Sequence, residues 1–197
     1  VLRLSVFYRS SAGCRVCCAL ALKQVYFKQL AVNLLKGHQK QGSYLQVNPQ
    51  GFVPTLVTAE GTITQSLAII EYLEETHPKS PVLPSKAIDR AHVRSMAYQI
   101  AMEIHPLNNP KVTQFLMAEM DASEAEKLRW YHHWINVGFT ALERRLTLSS
   151  SNGRFCFGDA VSLADICLIP QVYNALRFDC PLQGYPTIGA IYDHCQM

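Results

Sequence analysis

Two adjacent hydroxyls, Ser10 and Ser11, stand between an alternating segment and a dense apolar run. Leu2, Leu4 and Val6 are apolar with Arg3 and Ser5 between them, the period of a strand. After Gly13 come Cys14, Val16, Cys17, Cys18, Ala19, Leu20, Ala21 and Leu22, with few polar breaks, which predicts a buried helix from about Cys14 to Lys23. The serines then sit at a helix N-terminus. Free backbone N–H groups and the positive dipole end make that place attractive to an anion, a thiolate included. It suits plain capping hydroxyls equally well, and this stretch alone leaves both readings open.

Other residues could act on charge. Ser66 heads a helix with Leu67, Ile70 and Leu73 on one face, and can offer hydroxyl and amide to a carboxylate. Arg15 is alone among apolar neighbours. An unpaired charge there is costly, so it must reach a carboxylate, on the protein or on a substrate, or solvent. Arg9 precedes the serines, and Arg177 falls near a helix end, where the dipole favours a cation. His105, before Pro106, reads first as a capping or packing residue. Cys14-Arg15-Val16-Cys17 is a C-x-x-C at a helix start, the spacing of a redox motif. Against that, Cys14 is expected a turn inside the helix and buried, and buried thiols are inert.

Positioning these residues takes two domains. Leu2–Phe7, the first helix and a strand over Tyr26–Val32 make β-α-β. Lys36–Leu45 is polar and predicts a loop with irregular helix. Thr55–Thr58 and Thr62–Ile63 predict a hairpin turned at Ala59-Glu60-Gly61, followed by the Ser66 helix, which ends by Pro78. Residues 79–86 are rich in Pro and Ser, a linker pattern. Beyond it only helices are expected, interrupted at Pro106 and Pro110, with a polar loop over 149–153. Ser162-Leu163-Ala164-Asp165 has the spacing of a capping box, with Val161 and Ile166 at the staple positions, and carries no chemistry. The expected division is residues 1–78, an α/β domain, a linker 79–86, and 87–197, an all-helical domain.

With 49% hydrophobic and 17% charged residues the chain can bury a substantial core. A net charge of +3 without a basic run argues against a nucleic-acid surface and suits a small anionic substrate. No apolar run is long enough to span a membrane. No secretory leader is visible, and with Val1 first a few preceding residues are expected to be missing. Seven scattered cysteines, mostly in apolar surroundings, read as reduced thiols of a cytoplasmic protein rather than a disulfide framework. The seven histidines show no metal spacing with them, so no metal is expected.

The architecture with S-S-x-x-x-R-V (Ser10–Val16), N-P-Q-G-F-V-P-T-L (Asn48–Leu56), Q-S-L-A-I-I-E-Y-L-E-E-T (Gln65–Thr76) and G-D-x-V-S-L-A-D-I-C-L-I-P-Q-V-Y-N-A-x-R-F (Gly158–Phe178) resembles the cytosolic glutathione transferases, and within them the zeta class, the maleylacetoacetate isomerase family. The resemblance implies a thioredoxin-like N-terminal domain that binds glutathione and an all-α C-terminal domain that lines the substrate pocket. Ser10 and Ser11 match the family's catalytic serine pair. Gln39 matches a contact to the tripeptide's glycine end, and Val53, before a cis Pro54, the residue pairing with its cysteinyl part. Gln65 and Ser66 match the pair holding its γ-glutamyl carboxylate; by itself Gln65 reads as an ordinary surface glutamine. His105 and Asn109 match positions lining the site. Arg9, Arg15 and Arg177 match arginines in or near the acidic-substrate pocket, Arg177 among the catalytic set.

The implied activity is glutathione-dependent isomerisation of maleylacetoacetate to fumarylacetoacetate, in tyrosine and phenylalanine catabolism, by a cytoplasmic homodimer. Maleylpyruvate isomerisation, general glutathione transfer and a non-catalytic glutathione-binding module are the alternatives. The chain departs from the family in placing Ala12 and Cys14 where a cysteine and a tryptophan are usual. No step can therefore use a protein thiol at position 12. The end of the family's C-terminal segment is expected to be absent after Met197, and with it part of the pocket's cover.

Overall fold

The computed structural model describes residues 1–149 and 153–197; of the polar loop expected over 149–153, residues 150–152 lie outside the described residues. The chain divides into two compact units, Val1–Val82 and Leu83–Met197.

In the first unit β1 (Leu2–Val6), β2 (Phe27–Ala31), β3 (Thr55–Val57) and β4 (Thr62–Thr64) form one sheet in the order β2-β1-β3-β4. β1 runs parallel to β2 and antiparallel to β3, and β3 antiparallel to β4. Leu4 and Leu56 are direct cross-strand partners and fully buried. Burying a side chain of this kind stabilises by about 2 kcal/mol.

Helix α1 spans Ser11–Leu22 and so begins a turn earlier than its apolar run suggests. Gly13 looks like a breaker but sits inside the first turn. A Cβ there would lie 3.3 Å from both Ser10 Cβ and Val6 Cγ1, so the missing side chain lets the helix start close against the strand end. Between β2 and β3 come a 3₁₀ turn, His38–Lys40, and the short α2 (Gly42–Leu45). Helix α3 (Ser66–Thr76) packs against α1, with Val16, Ala19 and Leu20 buried on α1 and Ile69, Ile70 and Leu73 on α3. The far end of this helix pair is held by a buried ion pair. Lys23 Nζ lies 2.7 Å from Glu74 Oε2 and donates to the His77 carbonyl at 2.9 Å, while the Val82 N–H donates to Glu74 at 3.2 Å.

In the second unit the regular elements among the described residues are all helices. Helix α4 (Ala87–Tyr98) runs into a π-helical turn, Gln99–Ile104, closed by the His105 N–H donating to the Ile100 carbonyl at 3.0 Å. Then follow α5 (Pro110–Glu119), α6 (Glu124–Leu148), α7 (Leu163–Arg177) and α8 (Pro186–Gln196). Helix α7 is buried along most of its length, tolerates Pro170 inside it, and packs against α4 and α8. Its N-terminus carries the expected capping box. The Asp165 carboxylate, 1% exposed, accepts from the Ser162 N–H at 2.8 Å, the Ser162 hydroxyl at 2.7 Å and the Cys156 N–H at 2.7 Å.

Candidate functional site

Strand directions decide which loops meet. The parallel strands β1 and β2 finish side by side, Val6 beside Ala31. β3 runs the other way, so its first residue, Thr55, pairs with Ser5. The last residue of β4, Thr64, pairs with Thr55. The segments that leave β1, β2 and β4 and the one that enters β3 therefore share one end of the sheet. Ser10 and Ser11, Gln39, Val53 and Pro54, and Gln65 and Ser66 lie on those segments, so the fold brings them together.

At α1, Ser10 is the N-cap, its Oγ accepting from the Gly13 N–H at 3.0 Å. The capping role left open by the sequence is thus real for Ser10, yet it does not exhaust the hydroxyl. An oxygen that accepts from an amide keeps its own proton to donate. Ser11 occupies the first helical position and is buried.

At α3, Gln65 is itself the N-cap residue, with φ 70°, and makes no side-chain capping bond. Its side chain is exposed, as an ordinary surface glutamine's is, and its backbone sets it apart. A left-handed φ is uncommon for a residue with a side chain, and outliers of this kind cluster at functional sites. Its Nε2 donates to Gln50 Oε1 at 2.8 Å; Gln50 stands within the Asn48–Leu56 motif, which gave it no role of its own. Ser66, at the first helical position, is 7% exposed.

Two further segments complete the sheet end. The Val53–Pro54 peptide is cis, and Val53 lies just before the β3 ladder, so its peptide groups fall outside the pairing with β1 and β4. The approach is braced by Tyr44 Oη, donating to the Phe52 carbonyl at 2.6 Å, and by Asn48 Nδ2, donating to the same carbonyl at 2.8 Å and to Thr55 Oγ1 at 3.1 Å. In the 3₁₀ turn Gln39 keeps a buried Oε1 with no hydrogen-bond partner. A Cβ on Gly51 would come within 3.0 Å of the Gln39 carbonyl, so the positive-φ glycine permits that close approach.

The arginines of this unit differ. Arg9 is exposed, its guanidinium carbon 5.0 Å from the Tyr8 ring centroid. Arg15 is 1% exposed, which removes solvent as its outlet, and it is engaged rather than free. Cys14 is exposed, a correction to the expectation that it is buried: its side chain leaves the helix on the outer face. An open cleft of about 740 Å³, lined by Leu2, Tyr26, Thr58 and Tyr72 among others, lies at the opposite end of the sheet and contains none of the site residues.

In the second unit His105 is half-buried and closes the π turn, and Asn109 caps α5 by accepting from the Lys111 N–H at 3.0 Å. Arg177 is the last residue of α7, exposed, with its guanidinium carbon 5.3 Å from the Phe178 ring centroid. Burial pushes the Tyr131 hydroxyl well up from the ordinary tyrosine range, and the positive charge of Arg177 opposes that rise.

Comparison with known proteins fits this picture. Residues 2–75 match the family model for the glutathione S-transferase N-terminal domain. The maleylacetoacetate isomerase of Dictyostelium discoideum is 43% identical over 190 residues, 95% of this chain and 85% of the relative. Among solved structures, the holo form of a bacterial zeta-class glutathione S-transferase, maleylpyruvate isomerase, superposes with a TM-score of 0.96 at 40% identity, covering 98% of this chain and 91% of that one. The maleylacetoacetate isomerase of Methylobacterium extorquens AM1, solved with malonate and glutathione bound, gives a TM-score of 0.95 at 38% identity, with 98% and 91% covered. With two helix N-termini at one sheet end, an N-terminal domain of this type and relatives alike over nearly their whole length, the chain belongs to the zeta class of glutathione transferases, the maleylacetoacetate isomerase family.

Proposed function

We propose that this protein is a glutathione-dependent cis–trans isomerase converting maleylacetoacetate to fumarylacetoacetate, a step of tyrosine and phenylalanine breakdown. The observation that carries the reading is the meeting of two helix N-termini, those of α1 and α3, at one sheet end. Each positive dipole end favours an anion by about 0.3–1 kcal/mol. Glutathione brings a thiolate and a γ-glutamyl carboxylate, which are two anions on one chain.

The residues present fit it. The N-terminus of α3 has no side-chain capping bond from Gln65, so its first amides and the Ser66 hydroxyl are suited to a carboxylate. Val53, outside the ladder, offers peptide groups to an extended tripeptide. The orphaned acceptor on Gln39 suits the peptide N–H at the glycine end. Ser10, capped onto Gly13 and still holding its own proton, donates to the sulfur, and Ser11 supports it. His105 and Asn109 are assigned to the same ligand from the family resemblance. When bound, glutathione supplies a thiolate that adds reversibly to the conjugated alkene, leaving a single bond that can rotate. The protein's own task is to hold that sulfur ionised near neutral pH, against a free thiol pKa of about 8.5, and to grip a diacid. Arg9 and Arg177 are assigned to the carboxylates, since guanidinium binds them in a bidentate fork. For Arg15, buried in α1, an internal role is favoured over direct substrate contact. We further infer a cytoplasmic homodimer, on the family resemblance.

Maleylpyruvate isomerisation is the second reading, favoured by the neighbour with the TM-score of 0.96. Glutathione-dependent loss of maleylacetoacetate absorbance, run beside maleylpyruvate, separates them. Turnover of maleylacetoacetate at the higher kcat/KM is expected; turnover of neither overturns the isomerase reading. R177A should raise KM for the diacid far more than KM for glutathione, and equal effects would remove Arg177 from the substrate site.

A further inference from the structure

The outer face of α1 carries two sulfurs that the isomerase chemistry does not use. Cys14 lies in the first turn of the helix and is exposed. Cys18 is one turn further on and half-buried. Their Sγ atoms are 3.9 Å apart. The motif visible in the sequence pairs Cys14 with Cys17, but on a helix of 3.6 residues per turn the neighbour stacked on Cys14 is four residues away.

Each thiol has a distinct character. A hydrogen bond from Cys18 brings Cys14 down to about 7, against the opposing pull of burial and with the help of the Arg15 charge. Of the two sulfurs Cys14 is therefore the more readily ionised, and the thiolate is the reactive form. Cys18 is pushed far up, first by that same hydrogen bond and then by burial. Cys17 is raised by burial and by Cys14. The exposed sulfur is thus the nucleophile, and a protonated second sulfur sits in contact with it.

We propose that Cys14 and Cys18 form a thiol–disulfide exchange site for small disulfides of the glutathione type, with Cys14 attacking and Cys18 resolving. In the first step the Cys14 thiolate attacks one sulfur of glutathione disulfide. The S–S bond of that molecule breaks, one glutathione leaves as thiolate and takes a proton from water, and a Cys14–glutathione mixed disulfide remains. In the second step Cys18 gives up its proton to water and attacks Cys14 Sγ. The mixed disulfide breaks, the second glutathione leaves, and Cys14 and Cys18 are joined. Two protein thiols are oxidised and one glutathione disulfide is reduced to two glutathiones. Side chains four apart on a helix have Cβ atoms about 5–6 Å apart. A disulfide needs about 3.5–4.5 Å. Closure therefore draws in the first turn of α1, and a bond made at that cost is readily reversed by reduced glutathione.

The test is mass spectrometry of the intact protein, with peptide mapping, after incubation with glutathione disulfide at neutral pH. The wild type is expected to lose two hydrogens, with the link mapped to Cys14–Cys18 and no change in oligomeric size on a non-reducing gel. C18S should stop at the mixed disulfide on Cys14, C17S should behave as the wild type, and C14S should give neither product. A link mapped to Cys17, a mixed disulfide equally persistent in wild type and C18S, or no adduct on Cys14 in C18S overturns the assignment. Far-ultraviolet circular dichroism of each variant shows whether α1 and the rest of the fold are intact. None of these readouts depends on isomerase activity, so they stand or fall apart from the proposed function.

Discussion

On the proposed function Ser10 has two roles, a helix cap and a donor to the glutathione sulfur, that one substitution removes together and a second can separate. Its Oγ accepts from the Gly13 N–H at 3.0 Å, which satisfies one of the free amides at the start of α1. S10A loses that cap, at about 1 kcal/mol of stability. It also loses the hydroxyl proton that the proposed function assigns to the glutathione sulfur. A hydrogen bond to a charged group contributes about 1.5–3 kcal/mol. At 1.36 kcal/mol per unit that corresponds to a rise of about 1–2 units in the pKa of the bound thiol. With the bound thiol held near 7, the thiolate fraction at neutral pH, and kcat/KM with it, should fall roughly five- to fiftyfold. S10D keeps a side-chain cap of equal rank and adds a negative charge at a helix N-terminus, so its stability should stay within about 0.5 kcal/mol of the wild type. Its carboxylate faces the same thiolate and should raise the thiol pKa at least as far. Urea unfolding reads the stability, and ultraviolet titration of the bound thiolate with kcat/KM against pH reads the chemistry. The reasoning is refuted if S10A unfolds about 1 kcal/mol earlier while the thiol titration stays in place. Ser10 would then be a cap and nothing more.

Other expectations follow from particular contacts. Q65G relieves a left-handed φ of 70°, so the free protein should gain up to about 1 kcal/mol in urea while KM for glutathione rises; a loss of stability would show that the bond to Gln50 outweighs the strain. G138A places a Cβ 2.3 Å from Cδ1 and Cγ1 of the buried Ile104. The clash should exceed the roughly 1 kcal/mol that alanine gains in a helix, for a net loss of about 1–2 kcal/mol in thermal or urea unfolding. Iodoacetamide should label Cys14 with a rate that rises with pH to a midpoint near 7, and C18A should move that midpoint upward, because the donor that favours the thiolate is gone; an unchanged midpoint would detach Cys18 from Cys14.

What could be seen in the sequence was what depends on one element at a time. The strand read from Leu2, Leu4 and Val6 and the helix start read from the Ser162–Asp165 spacing are both present in the fold, although β1, inside the sheet, also buries Ser5 between Leu4 and Val6. Features that depend on what a neighbour offers were hidden. Gly13 reads as a stop because a lone glycine weakens a helix, yet the nearness of Val6 and Ser10 makes it the residue that lets α1 begin a turn sooner. Gln65 carries no mark of its left-handed backbone, because the β4–α3 junction imposes it. The π turn at Gln99–Ile104 is equally silent: its apolar spacing passes for an ordinary helix, and the register slip shows in the His105 N–H bonding to the Ile100 carbonyl. The candidate site rests on the family motifs, and the physical cause of its meeting place was not visible in them. Three connections, β1–α1, β2–β3 and β4–α3, meet because β3 runs against β1, a fact of strand direction that no single loop encodes. The cysteines show the same division within a single helix. Spacing along the chain suggests Cys14 with Cys17, whereas the turn of the helix selects Cys18, and that difference decides which sulfur can stabilise, and later displace from, the other.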